Sequence, residues 1–153
     1  MIDNNVIDKE NIRLKIEAND WREAIRKSGE ILRNNCYIED EYIENMVKAV
    51  EELGPYIVII PHIAIAHARP SDSVLKNGIS LATLKEPVEF GNKDNDPVDL
   101  VFSLCATSNK SHLKVLEKLF IVLEDEKKIQ ILRSSEDIDQ VYRILNNIGE
   151  EVK

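Results

Sequence analysis

Cysteine is nearly missing: Cys36 and Cys105 are the only two, far apart and at no metal-ligand spacing. That excludes a disulfide framework and a cysteine-built zinc site. No apolar run is long enough to cross a bilayer, which excludes a helical membrane span. The first residues, Met1-Ile2-Asp3-Asn4-Asn5, carry neither a basic region nor an apolar stretch, so no export signal is expected. With no such signal, both cysteines are expected reduced and buried, in a cytoplasmic protein. Basic residues are outnumbered, 20 against 28, leaving a formal net charge of −8. That balance disfavours nucleic acid and anionic membrane as partners and suits docking on a basic protein surface, or simple solubility. Internal repeats, low-complexity tracts and linkers are also absent. The 153 residues therefore read as one domain, 1–153, with ordinary globular composition (43% hydrophobic, 31% charged).

What is present has a clear order. Residues 10–17 alternate, with Ile12, Leu14 and Ile16 on one side and Arg13 and Lys15 on the other, predicting a strand with one wet face. Asp20 followed by Glu23 has the spacing of a capping box. The set Trp21, Ala24, Ile25, Ser28, Ile31, Leu32 keeps helical spacing to about Asn34-Asn35. A second helix is expected from about Asp40 to Leu53, with Ile43, Met46, Val47, Val50 and Leu53 as its buried stripe. Gly54-Pro55 stops it.

Strand-like pieces follow. Ile57 to Ile60 is β-branched throughout and predicts a central strand buried on both faces. Ile63–Ala66, Gly78–Leu84, a short Val88–Phe90 and Val98–Ala106 complete the set, with a loop from Gly91 to Pro97. Ser111 has the character of an N-cap, which would put His112 at the first position of a helix carrying Val115, Leu116, Leu119, Phe120 and Leu123. A short helix near 126–133 and another near 136–147, buried through Ile138, Val141, Tyr142 and Leu145, close the chain. The economical fold is α/β: a single mixed sheet flanked by helices on both sides.

Chemistry concentrates in Gly54 to Pro70, which holds two of the three histidines. His62 and His67 are five apart, a separation that points their rings apart on a strand and on a helix alike, so regular structure does not let them share an ion. Imidazole is a good nucleophile at neutral pH, and phosphoryl transfer asks for such a nitrogen with donors and positive charge beside it. Arg69 falls two residues after His67, on the same face if the chain is extended, and a guanidinium grips phosphoryl oxygens at two points. Ala66 and Ala68 leave space for an approaching protein. His112, near a helix start, is placed to stay neutral and donate one N–H to an anion. Each residue also has a plainer reading: His62 as a hydrogen-bonded strand-start residue, His112 as an exposed helix residue, Arg69 as a solvated cation.

The run Ile63-Ala64-Ile65-Ala66-His67-Ala68-Arg69-Pro70 resembles the active-site motif of phosphotransferase-system IIA domains of the mannitol/fructose type. The likeness continues through Ala49-Val50-Glu51-Glu52-Leu53-Gly54-Pro55-Tyr56, Leu84-Lys85-Glu86-Pro87-Val88-Glu89-Phe90, Asp94-Asn95-Asp96-Pro97-Val98-Asp99, Ser111-His112 and Leu123-Glu124-Asp125-Glu126. It is similar to the ascorbate-specific branch along nearly the whole chain. The resemblance implies a cytoplasmic phosphocarrier with a mixed sheet between helices. Such a domain takes a phosphoryl group from the phosphocarrier HPr and passes it to a cysteine of the IIB component, which serves the membrane IIC component. It further implies His67 as the phosphorylated residue, His112 as its stabiliser and Arg69 as a charge clamp, with no metal or organic cofactor. Two departures stand out: Ala66 where the family usually has proline, and His62 where glycine is common. They leave open a regulatory module of the same fold. A metal-dependent hydrolase using His62, His67 and His112 is a more distant alternative. Neither the sugar nor pairing between copies is fixed by the residues.

Overall fold

The computed structural model describes residues 6–147. Residues 1–5, on which the expectation of no export signal falls, and the far end of the 1–153 domain range lie outside them. Within them, β1 (Ile12–Ile16), α1 (Trp21–Asn34), α2 (Asp40–Leu53), β2 (Val58–Ile60), β3 (Ile63–Ala66), β4 (Gly78–Val88), β5 (Val98–Cys105), α3 (Asn109–Leu123), α4 (Glu126–Ser134) and α5 (Ile138–Leu145) follow in order. The strands form one sheet, β1-β4-β5-β3-β2. It is mixed: β1 with β4 and β3 with β5 are parallel, while β4 with β5 and β2 with β3 are antiparallel. Along β5, Val98, Val101 and Cys105 face α1 and α2, and Leu100, Phe102 and Leu104 face α3, α4 and α5. Helices cover both faces, as the residue pattern requires.

The capping box at α1 forms: the Asp20 carboxylate accepts from the Glu23 backbone N–H at 2.9 Å, and Glu23 reaches back to accept from Asn19 N–H at 2.6 Å. Ser28, the one polar member of the α1 stripe, is fully buried against the sheet. Its Oγ donates to Val101 O at 3.0 Å, Ser103 Oγ donates to it at 2.8 Å, and Ser80 Oγ donates to Ser28 O at 2.8 Å. The desolvated hydroxyls are thus all satisfied. The next residue, Gly29, lets α2 approach: a Cβ there would meet Ile43 and Met46 at 3.0 Å. Gly54 ends α2 at φ 88°, ψ −177°, a conformation open essentially to glycine.

Several expectations change. The strand at 57–60 is not central: β2 is an edge strand with Ile59 exposed, and it is β3 that is buried on both faces. The alternation of β1 breaks at Lys15, whose φ is 56°. The pairing with β4 shifts there, and Ile16 crosses to the α1–α2 side while Ile12 and Leu14 stay opposite. Val88 belongs to one long β4, with Phe90 beyond it. Leu53, Phe120 and Ile138 keep helical spacing but are exposed. Cys105 is buried, as expected, and burial pushes its thiol up to about 12. Cys36, expected buried, is on the surface.

Cys36 is the C′ residue of α1, in the left-handed region at φ 68°. Tyr37 N–H donates to Leu32 O at 2.9 Å and Cys36 N–H to Arg33 O at 3.1 Å, the paired bonds of a Schellman motif. A side chain with a Cβ is strained there. Cys36→Gly is expected to raise stability by about 0.5–1 kcal/mol, the left-handed penalty less the added chain entropy. The measurement is urea unfolding: the midpoint rises with an unchanged slope.

Candidate active site

β3 runs parallel to β5, pairing Ile63 with Leu100 through Ala66 with Ser103. The chain leaves the sheet after Ala66, so His67 emerges at the same end as the segment that follows β5. That segment, Ala106-Thr107-Ser108, leads straight into α3. Ser108, not Ser111, is the N-cap: its Oγ accepts from Ser111 N–H at 3.1 Å, while His112 N–H donates to Ser108 O at 2.9 Å. His112 therefore sits one turn into α3 rather than at its first position, and this turn carries its ring to His67. The two ring centroids are 5.4 Å apart with planes at 69°.

His67 is half-buried, and its Nδ1 lies 2.9 Å from the Ile65 carbonyl. A carbonyl only accepts, so this contact assigns the proton to Nδ1 and leaves Nε2 with a free lone pair. Tyr56 meets the ring edge-on at 5.5 Å and 88°. The pair opens on a groove of about 640 Å³ whose lining includes His67, His112, Arg69, Tyr56, Lys48 and Asn109. Arg69 is exposed and, among the described residues, has no carboxylate partner. Its charge is available to an anion in the groove.

His112 is held below the ordinary imidazole value, first by burial and then by repulsion from His67. It is neutral at pH 7 and keeps one N–H to donate. The site thus combines a nucleophilic nitrogen, a neutral donor and a guanidinium on one surface, a set suited to receiving a phosphoryl group.

His62 is not part of it. It lies at the opposite end of β3, roughly 16 Å away at the rise of an extended chain. There it occupies the β2–β3 turn with φ 73°. Its Nδ1 is 2.8 Å from Pro97 O, its N–H donates to Asn95 O at 2.9 Å, and its carbonyl accepts from Asp99 N–H at 3.1 Å. It ties the turn to the loop before β5, which corrects any scheme that brings all three imidazoles to one ion.

Two residues escaped the sequence reading. Tyr56 follows a Gly-Pro stop and has no spacing that marks it. Tyr42 is fully buried on α2, and its hydroxyl accepts from Ala68 N–H at 3.0 Å and lies 2.7 Å from Leu104 O and 3.1 Å from Ala68 O. It continues the stripe of Ile43, Met46 and Val47, so a phenol in an apolar row was the available signal.

Comparison with known proteins shows which chains this one is similar to. The family model described as phosphoenolpyruvate-dependent sugar phosphotransferase system, EIIA 2, matches residues 5–148. A protein of Salmonella choleraesuis (strain SC-B67) named ascorbate-specific PTS system EIIA component is 37% identical over 136 residues, 88% of each chain. Enzyme IIA for mannitol from Escherichia coli, in a complex with phosphorylated enzyme IIB, is 33% identical with a TM-score of 0.83, covering 92% of this chain and 97% of that one. The crystal structure of IIA mannitol from Escherichia coli gives a TM-score of 0.81 at 34% identity, covering 91% and 98%.

A titration checks the electrostatics. The His112 midpoint, followed by its ring resonances, is expected below 6.5. In His67→Gln it moves part of the way back, because burial, the larger cause, remains. The sign for stability follows: the fold favours neutral His112, so stability rises as pH climbs from the folded midpoint toward 6.5 and is lost on the way down.

Proposed function

The chain belongs to the phosphoenolpyruvate-dependent sugar phosphotransferase system EIIA type-2 family, and from that premise we propose that it is a phosphocarrier whose acceptor atom is His67 Nε2. Its curated relatives are phosphotransferase components named for ascorbate, and no described helix is long and apolar enough to cross a membrane. Residues 1–153 serve as one such domain in the cytoplasm.

The Nε2 lone pair attacks the phosphorus carried on a histidine of HPr, in line with the donor's P–N bond. That bond breaks and its electron pair returns to the donor ring, while Nδ1–H stays with the Ile65 carbonyl. His112 donates its one N–H to a phosphoryl oxygen, and Arg69 balances charge on the others. In the second half, a thiolate of the IIB component attacks the same phosphorus. A P–S bond forms and the Nε2–P bond breaks, restoring the starting imidazole. The IIB component then serves the membrane IIC component, for ascorbate or a related sugar. A complex of a relative with phosphorylated IIB supports that partner. Leu53 and Tyr56, exposed on the groove, and Leu113, exposed beside His112, give a protein something apolar to rest on. The protein supplies the whole reactive group, so no cofactor enters.

The observation carrying this reading is the pair of imidazoles at one groove, with the proton of His67 fixed on Nδ1. The test is incubation with phosphoenolpyruvate, enzyme I and HPr, followed by mapping of the phosphorylated residue. Label is expected on His67 and absent in His67→Ala; label on His62 alone overturns the assignment. His112→Ala should keep the site but slow uptake about 100-fold, the usual loss for one charge-stabilising donor. Transfer onward to an ascorbate IIB separates a transport role from a regulatory one.

A further inference from the structure

Of the two imidazoles, His67 stands just outside any regular element, and His112 stands one turn into α3, a helix set in place by the connection before it. His67 follows the last residue of β3, and the path to His112 runs through the connection after β5. Each connection must be fixed if a gap of one phosphoryl group is to be kept between the rings. Ala66 stands before His67, so no proline stiffens the approach. Something outside the segment must do so.

We propose that Tyr42 is a positioning residue for the phosphoryl acceptor: its hydroxyl joins the chain at Ala68 to the end of β5 and so sets the His67 ring against His112. This rests on the reading of His67 as acceptor. The hydroxyl has one proton and two lone pairs. The proton goes to the nearest acceptor, Leu104 O at 2.7 Å, and a lone pair takes the N–H of Ala68 at 3.0 Å. Leu104 is the penultimate residue of β5, and Ala68 adjoins His67. One oxygen thereby ties together the two segments that carry the site. The tie is dry, since Tyr42 is fully buried, and no water competes for its bonds. Burial also raises the phenol well above its ordinary value, so the donor proton persists at any working pH. The support comes from α2, whose apolar neighbours Ile43, Met46 and Val47 anchor the ring in the core. Tyr42 touches neither the groove nor the reacting nitrogen; it acts through the backbone at 68.

Tyr42→Phe removes the oxygen and little else. Uptake from phosphorylated HPr should fall about tenfold in kcat with KM for HPr unchanged, because a misplacement of an ångström or less has that scale of effect. The His67 ring 15N shifts should show loss of the pure Nδ1–H form as the bond to Ile65 O loosens. A variant that is less stable but equal to wild type in kcat and in ring shifts overturns the proposal. Should the variant fail to fold, hydrogen exchange in the unsubstituted protein decides. The Ala68 amide should be protected like the strands, whereas exchange at loop rates refutes the tie. These readouts separate the two readings. Wild type unlabelled at His67 defeats the relay, whereas a labelled wild type with an unaffected variant defeats the role of Tyr42.

Discussion

The parallel pairing of β3 with β5 is the constraint on which this molecule depends. Parallel neighbours end at the same edge of a sheet, so whatever follows each is delivered to one place. Four paired residues, Ile63 to Ala66 against Leu100 to Ser103, suffice to bring His67 beside the start of α3. The antiparallel partners on either side, β2 and β4, begin at that end, and Tyr56, just before β2, meets the His67 ring there. Had β3 run the other way, His67 and His62 would exchange ends. The imidazole facing His112 would then be the one now tied to Pro97.

Chemistry follows from how differently two like groups are treated. His67 donates its Nδ1–H to a backbone carbonyl and so presents a defined nitrogen. His112 is kept uncharged by partial burial and by the other ring. Two imidazolium ions at this separation would repel each other and neither could attack; in the proposed relay one ring supplies the nucleophile and the other the donor. Lys48 and Arg69 both bring full positive charge to the groove lining; Arg69, two residues after His67, is exposed and so adapts to the group it meets.

Much of this was legible in the residues. Helical spacing found α1, α2 and the closing helices, and the Gly54-Pro55 stop was read correctly because only glycine accepts that backbone. The mixed sheet between helices followed from the need to cover every apolar face, and the resemblance to the family extends over a chain that the family model matches almost throughout. What failed was neighbourhood. Ile57 to Ile60 looks as apolar as β3, but hydrophobicity records burial potential, not rank within a sheet. Leu53 fits its stripe in angle, yet at the last turn it meets the groove instead of α1. Ile16 fits an alternation that the left-handed backbone at Lys15 reverses. The Ser111 cap was misplaced by three residues because Ser108 offers the same hydroxyl, and nothing local separates them. The choice between His62 and His67 rests on flanking residues in the sequence; in the fold the two stand at opposite ends of β3, with the ring of His67 beside that of His112.

The hydroxyl cluster of Ser28, Ser80 and Ser103 does not line the groove, yet it governs the setting of the groove wall. A seam of methyl groups tolerates sliding by a fraction of a residue; three hydroxyls that donate to Val101 O, Ser28 O and Ser28 Oγ do not. They index α1 on the sheet as a key indexes a shaft. Because α2 rests on α1 with only a hydrogen atom at Gly29 between backbone and Ile43, that index is handed on without slack to the helix bearing the buried phenol.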